Sequence, residues 1–142
     1  MGNRLGTLRE LTLRELNELQ EMPDLIGLTA LGSLTIEDCG MLRALPRGIG
    51  ELGALKEFTL RGLKKLQEMP DTIGRMTALE SLTLDRCRKV RTLPGVNLHL
   101  SRLQKLWILE VPLEDMPCIE ALTALHELRL DVADYPGSCV VV

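Results

Sequence analysis

Aromatic residues are nearly missing. Among 142 residues there is one Trp, one Tyr and one Phe, 2% in all, against an ordinary 45% of apolar residues. An irregular core uses bulky rings to fill its gaps, so this interior must be filled by aliphatic side chains at regular positions. Histidine is equally scarce. His99 and His126 are the only two, and neither stands beside a Cys, Ser or carboxylate at a catalytic spacing, which argues against an enzyme. The four cysteines contain no C-x-x-C and no neighbouring His, so neither a zinc site nor any other cofactor is expected. No run is apolar enough to span a bilayer, no secretory h-region is legible and no N-x-S/T acceptor occurs. The opening Met1-Gly2-Asn3-Arg4-Leu5-Gly6 places Gly where N-myristoylation wants Ser or Thr. These absences give the expectation of a cytoplasmic chain without a membrane role.

What is present is leucine at a fixed spacing. In Leu66 to Cys87, LQEMPDTIGRMTALESLTLDRC, Leu79, Leu82 and Leu84 form an L-x-x-L-x-L strand signal. Cys87 marks the turn after it, and Met69-Pro70-x-x-Ile73-Gly74 lies on the return path. The first leucine of that signal recurs at Leu8, Leu31, Leu55, Leu79, Leu103 and Leu125, in steps of 23, 24, 24, 24 and 22 residues. Each unit is too short to bury its own apolar face, so the leucines make sense only when neighbouring units stack on them. This is a leucine-rich repeat. The expected fold is a single domain over 1–142 of the α/β class: a right-handed solenoid of six units, a parallel sheet on the concave face, short 3₁₀ or α turns on the convex face, and an irregular tail at 134–142.

Within a unit, period-2 alternation sends the strand leucines inward and the residues between them to the open face. Leu82 and Leu84 are expected to be wedged between neighbouring units, and Thr83 to face solvent. On the return path, M/L-P-x-x-I-G-x-L-x-A-L offers Pro at the first position of a short helix and apolar residues three apart, which suits a 3₁₀ turn. Gly27, Gly50 and Gly74 occupy one position in three units and read as close convex packing. Unit four breaks the pattern with PGVNLHLSRL, making 94–102 the expected irregular loop. Cys39 and Cys87 share a position two units apart, roughly 9 to 10 Å at the inter-strand spacing. A disulfide cannot span that, so all four thiols are expected to be reduced.

The pattern L-x-x-L-x-L-x-x-C-x-x-L-x-x-L-P-x-x-I-G-x-L is complete in LGSLTIEDCGMLRALPRGIGEL, residues 31–52, and returns at 55–76 with Leu63 for Cys. It resembles the repeat of plant nucleotide-binding leucine-rich-repeat disease-resistance receptors, and also that of Ras-associated intracellular leucine-rich-repeat scaffolds. The first resemblance implies a ligand-sensing or regulatory region in innate immunity, the second a free-standing signalling scaffold. No P-loop, G-x-x-x-x-G-K-[ST], occurs. On the first resemblance the chain is therefore a fragment or a free-standing relative, a monomer or part of a larger chain. A fragment acting only as a structural spacer is a further alternative.

Ligand choice would be written where exposed positions depart from the repeat. The central strand column reads Thr12, Thr35, Thr59, Thr83, Trp107, Arg129, and β-branched residues suit an exposed pleat. Trp107 stands out as an interface anchor, with Lys105, Leu109, Arg61, Arg86 and Arg129 around it as the candidate protein-binding face. If the shortened fifth unit slips, Leu106, Leu109 and Val111 become the inward set and Trp107 turns. The next column, Arg14, Glu37, Arg61, Asp85, Leu109, Asp131, alternates in sign and suggests pairing between adjacent units.

The formal charge of −3 hides an asymmetry. Residues 41–106 carry 13 Lys and Arg against 6 acids, residues 1–40 carry 3 against 7, and residues 107–142 carry 1 against 7. Lys64-Lys65 and Arg88-Lys89 fall at equivalent positions after two strands and define a basic edge that could meet an acidic protein surface or a phosphate-bearing ligand. Without aromatics in it, and with a negative total, nucleic acid is not the expected partner.

Overall fold

The computed structural model describes residues 6–93, 100–114 and 122–131. Six five-residue strands form one parallel sheet in sequence order: β1 (Glu10–Arg14), β2 (Ser33–Glu37), β3 (Glu57–Arg61), β4 (Ser81–Asp85), β5 (Lys105–Leu109) and β6 (Glu127–Asp131). The register sets like on like, with Leu34, Phe58, Leu82, Leu106 and Leu128 in one file and Ile36, Leu60, Leu84, Ile108 and Leu130 in another. Every member of both files is buried. Phe58, fully enclosed, is the one aromatic among these leucines.

The return paths repeat a period of three. Two of them wind into 3₁₀ helices, Arg47–Glu51 and Asp71–Arg75. In the second, Ile73 N–H donates to Pro70 O, Met76 N–H to Ile73 O and Leu79 N–H to Met76 O, each across 3.0–3.1 Å. Ile73, Met76 and Leu79 are thereby brought to one side and buried. Ile49, Leu52 and Leu55 do the same one coil earlier. Spacing of three eclipses side chains in a 3₁₀ turn, which is why I-x-x-L-x-x-L encodes this path and not an α-helix. Pro46 and Pro70 sit one position earlier than expected, at the N-cap with extended backbone (ψ 145° and 141°), where a missing N–H costs nothing. After Pro23 there are only turns, at 26–27 and 29–30.

The chain leaves each of β1 to β5 through a left-handed residue: Glu15, Asp38, Gly62, Arg86 and Glu110 all have φ between 52° and 66°. Each non-glycine there costs about 1 kcal/mol. The conformation is held because its N–H reaches the next coil, Asp38 to Arg61 O at 2.9 Å and Arg86 to Leu109 O at 2.9 Å, extending the ladder by one residue. Cys39, Leu63, Cys87 and Val111 follow immediately and are all fully buried.

Two expectations need correction. Thr83 is buried, at 5% exposure, whereas its column was expected to face solvent. It is in register with Trp107 on the adjacent strand. The glycine position also splits. A Cβ on Gly50 would stand 2.5 Å from Thr72 O, but one on Gly27 meets nothing within 4 Å, so Gly50 serves close packing and Gly27 does not. The slip that would have buried Leu109 does not occur, since Leu106 and Ile108 point inward and Leu109 is half-buried. The β1 end is open: Leu8, Leu11, Leu13 and Leu19 are only partly covered, and Leu16 is 41% exposed. Most of the loop expected at 94–102 and the tail at 134–142 lie outside the described residues, as do Cys118 and Cys139; Leu100 is buried and 101–102 is a turn.

Candidate functional site

The open strand face carries two arrangements. The first is a charge ladder. Arg14 Nε lies 3.0 Å from Glu37 Oε2, Arg61 Nη1 3.1 Å from Glu37 Oε1, Arg61 Nε 3.2 Å from Asp85 Oδ2, and Arg86 Nε 3.6 Å from Asp85 Oδ1. The pairing expected from the alternating signs is thus present. Arg61 is its hub, although its Nε faces Asp85 without hydrogen-bond alignment. Half-exposed pairs of this kind contribute about 0–1 kcal/mol each, and their effect here is to neutralise the face over β1 to β4.

The second is built around Trp107. Strand alternation brings the indole out of β5 onto the open face, where it is half-buried. Its Nε1–H donates to Glu127 Oε2 at 2.8 Å, the Lys105 ammonium lies 3.7 Å from the ring centroid, and the Arg129 guanidinium carbon lies 4.4 Å from it. Register explains the convergence. Lys105 pairs with Glu127 and Trp107 with Arg129 across β5 and β6, so four side chains from two adjacent rungs meet over one ring. Each cation–π contact is worth about 0.5–1 kcal/mol at an exposed site, and the hydrogen bond fixes the ring plane. The indole is held in one orientation, partly exposed, with two cations over its ring and a carboxylate on its N–H.

Of the residues singled out in the sequence, Trp107, Lys105 and Arg129 therefore come together, and Leu109 sits two residues along the same strand. Arg61 lies two strands away and Arg86 just beyond β4, both committed to the ladder. Glu127 was missed as a site residue. Its signal was available, an acid in the Lys105 column on the strand next to the only Trp.

The basic edge is a groove on the strand-exit side. Lys65 and Lys89 line it together with Arg43 and Gln67, in a volume of about 380 Å3. It continues past Gln67 and Lys89 to Glu68, Arg91 and Thr92 in a further space of about 440 Å3. Lys64 and Arg88 are exposed beside it and do not line it. Arg43 escaped the sequence reading, although it occupies the position of Gln67 and Arg91 in its own unit.

No catalytic chemistry is assembled by the groups in view. The Cys39 thiol donates to Glu37 O at 3.4 Å and that of Cys87 to Leu60 O at 3.7 Å, and both are free and buried. Burial pushes the Cys87 thiol up to about 11, the reverse of what a nucleophile needs. His126 is exposed, and His99 lies outside the described residues. Among the described residues no three His, Cys, Asp or Glu side chains gather to hold a metal ion, and no helix is long and apolar enough to cross a membrane.

Among solved structures, the chain resembles the leucine-rich repeat domain of the type III effector XopL, with a TM-score of 0.75 and 26% identity over 87% of this chain. It also resembles a leucine-rich repeat protein of Leptospira interrogans, with a TM-score of 0.60 and 27% identity over 88% of this chain. It spans 43% and 37% of those two chains, less than half of either. No protein-family model and no curated protein matches the sequence. The fold is a leucine-rich-repeat solenoid, an architecture whose stacked strands present an extended surface to protein partners.

Proposed function

We propose that this chain is a non-catalytic protein-recognition module whose contact surface is the concave strand face centred on Trp107. The observation that carries this is the indole's setting. A tryptophan fixed by Glu127, Lys105 and Arg129 yet left partly exposed follows four small threonines, Thr12, Thr35, Thr59 and Thr83, in its column. Aromatic anchors of this kind, already ordered before the partner arrives, lose little entropy on binding and dominate interface energetics.

The repeat consensus of residues 31–76 supports a finer reading: a ligand-sensing or regulatory region of a plant disease-resistance type protein, working in the cytoplasm as a monomer or as part of a longer chain. The same consensus, with no P-loop beside it, also suits a free-standing scaffold of the Ras-associated type. The test uses a partner isolated from native extract on the immobilised chain and then purified. Trp107→Ala should weaken its binding by about 2 kcal/mol, roughly thirtyfold, with the thermal melt preserved. Unchanged affinity in a folded variant moves the contact away from this face.

A further inference from the structure

We infer that the strand-exit groove is a second docking site, independent of Trp107, for a short acidic segment of a partner protein. Its floor is fixed by coil-to-coil backbone bonds. Arg43 N–H donates to Gln20 O at 3.0 Å, Ala44 bridges to Glu68, and Glu114 N–H donates to Arg91 O at 2.8 Å. Side chains at 43, 67 and 91 therefore rise from successive coils in file, and Lys65 and Lys89 from the file beside them.

The groove and the charge ladder treat their cations in opposite ways. On the strand face, Arg14, Arg61 and Arg86 each have a carboxylate within 3.6 Å. Among the described residues, Arg43, Lys65 and Lys89 have no carboxylate at ion-pair distance, nor do Lys64 and Arg88 beside them. Only Arg91 does, at 2.9 Å from Glu114, on two exposed side chains that can part. Among the described residues, Glu68 is the one acid lining the groove. Unpaired like charges on adjacent coils repel each other and raise the local potential, which an incoming anion relieves.

The shape and surroundings narrow that anion to a peptide. The two connected spaces, about 380 and 440 Å3, accommodate a few residues of extended chain, and the Gln67 amide can both donate to and accept from a main chain. No lining residue is aromatic, so bases would find no stacking platform. The acid-rich stretches on either side, 7 acids against 3 cations in residues 1–40 and 7 against 1 in residues 107–142, repel a polyanion that runs beyond the groove.

The test is fluorescence anisotropy of a labelled hexaglutamate peptide with the full chain. Binding should weaken by about tenfold or more between about 20 and about 200 mM salt. Arg43→Gln/Lys65→Gln/Lys89→Gln should lose at least about tenfold in affinity with a melting temperature equal to or above that of the parent, since like-charge repulsion is removed. Lys56→Gln/Arg75→Gln/Arg102→Gln, with the same change in net charge elsewhere on the surface, should retain binding, as should Trp107→Ala. Equal losses in the two triple variants would reduce the effect to net charge and overturn the inference. So would absence of binding at low salt, or displacement of the peptide by a single-stranded oligonucleotide of equal charge at a lower concentration than unlabelled hexaglutamate requires.

Discussion

Gly27 and Gly50 hold the same place in the repeat, yet adding one methyl group should have opposite effects at the two. At Gly50 the Cβ would stand 2.5 Å from Thr72 O, 2.7 Å from Thr72 Cβ and 3.1 Å from Thr72 C. The closest ordinary carbon–oxygen approach is about 3.3 Å, so the two coils would have to separate by roughly 0.8 Å. They are not free to do so. Thr72 Oγ1 donates to Arg47 O at 2.9 Å, and Ile49 and Ile73 on the two 3₁₀ helices are buried in the same core. Gly50→Ala should therefore cost about 1–3 kcal/mol as overpacking. Shortening Thr72 cannot rescue it, because the tightest contact is with backbone. At Gly27 the methyl group enters open space, and Gly27→Ala should gain about 0.4–1 kcal/mol by restricting the unfolded chain. Urea unfolding followed by circular dichroism measures both. A Gly50→Ala protein as stable as Gly27→Ala would refute the coil packing described above.

Two further outcomes follow from burial. Leu82→Ala, truncating a side chain at 3% exposure between two coils, should cost about 2–5 kcal/mol in the same unfolding experiment. Thr83→Ala, at a position 5% exposed, should cost about 1 kcal/mol, and a loss equal to that of Leu82→Ala would contradict the inward and outward assignment. Cys87 makes stability depend on alkaline pH. Its thiol is raised from 9.0 to about 11 by burial, so between these values the unfolded chain releases a proton that the native chain keeps. Stability should be full below pH 9 and fall as pH rises toward 11, by up to about 2 kcal/mol, and Cys87→Ala should flatten that fall.

The coil architecture was legible in the sequence because a repeat states each packing rule several times. Leucines at period two and period three, read over five or six units, fix which side chains stack even where one unit deviates, as unit five does. Thr83 was misread because alternation alone assigns its whole column to solvent, whereas Thr12 is exposed, Thr35 and Thr59 are half-buried and Thr83 is buried. Glu127 was missed for a related reason: an acid opposite Lys105 suggests an ion pair, but the indole N–H takes the carboxylate and leaves the ammonium over the ring. The left-handed residue after each strand was hidden because Glu, Asp, Arg and Gly share that position, and only inter-coil hydrogen bonds show why they adopt one conformation. The groove needed three dimensions, since Arg43 joins Lys65 and Lys89 only when coils two to four are stacked.

Trp107 is the only tryptophan in 142 residues, so the intrinsic fluorescence of the protein reports on the proposed contact without any substitution. Saturating the chain with its purified partner, chosen free of tryptophan or labelled to silence its own, should shift the emission to shorter wavelength and reduce acrylamide quenching severalfold as the open part of the indole is covered. Emission and quenching that stay unchanged at saturation would contradict recognition through this face.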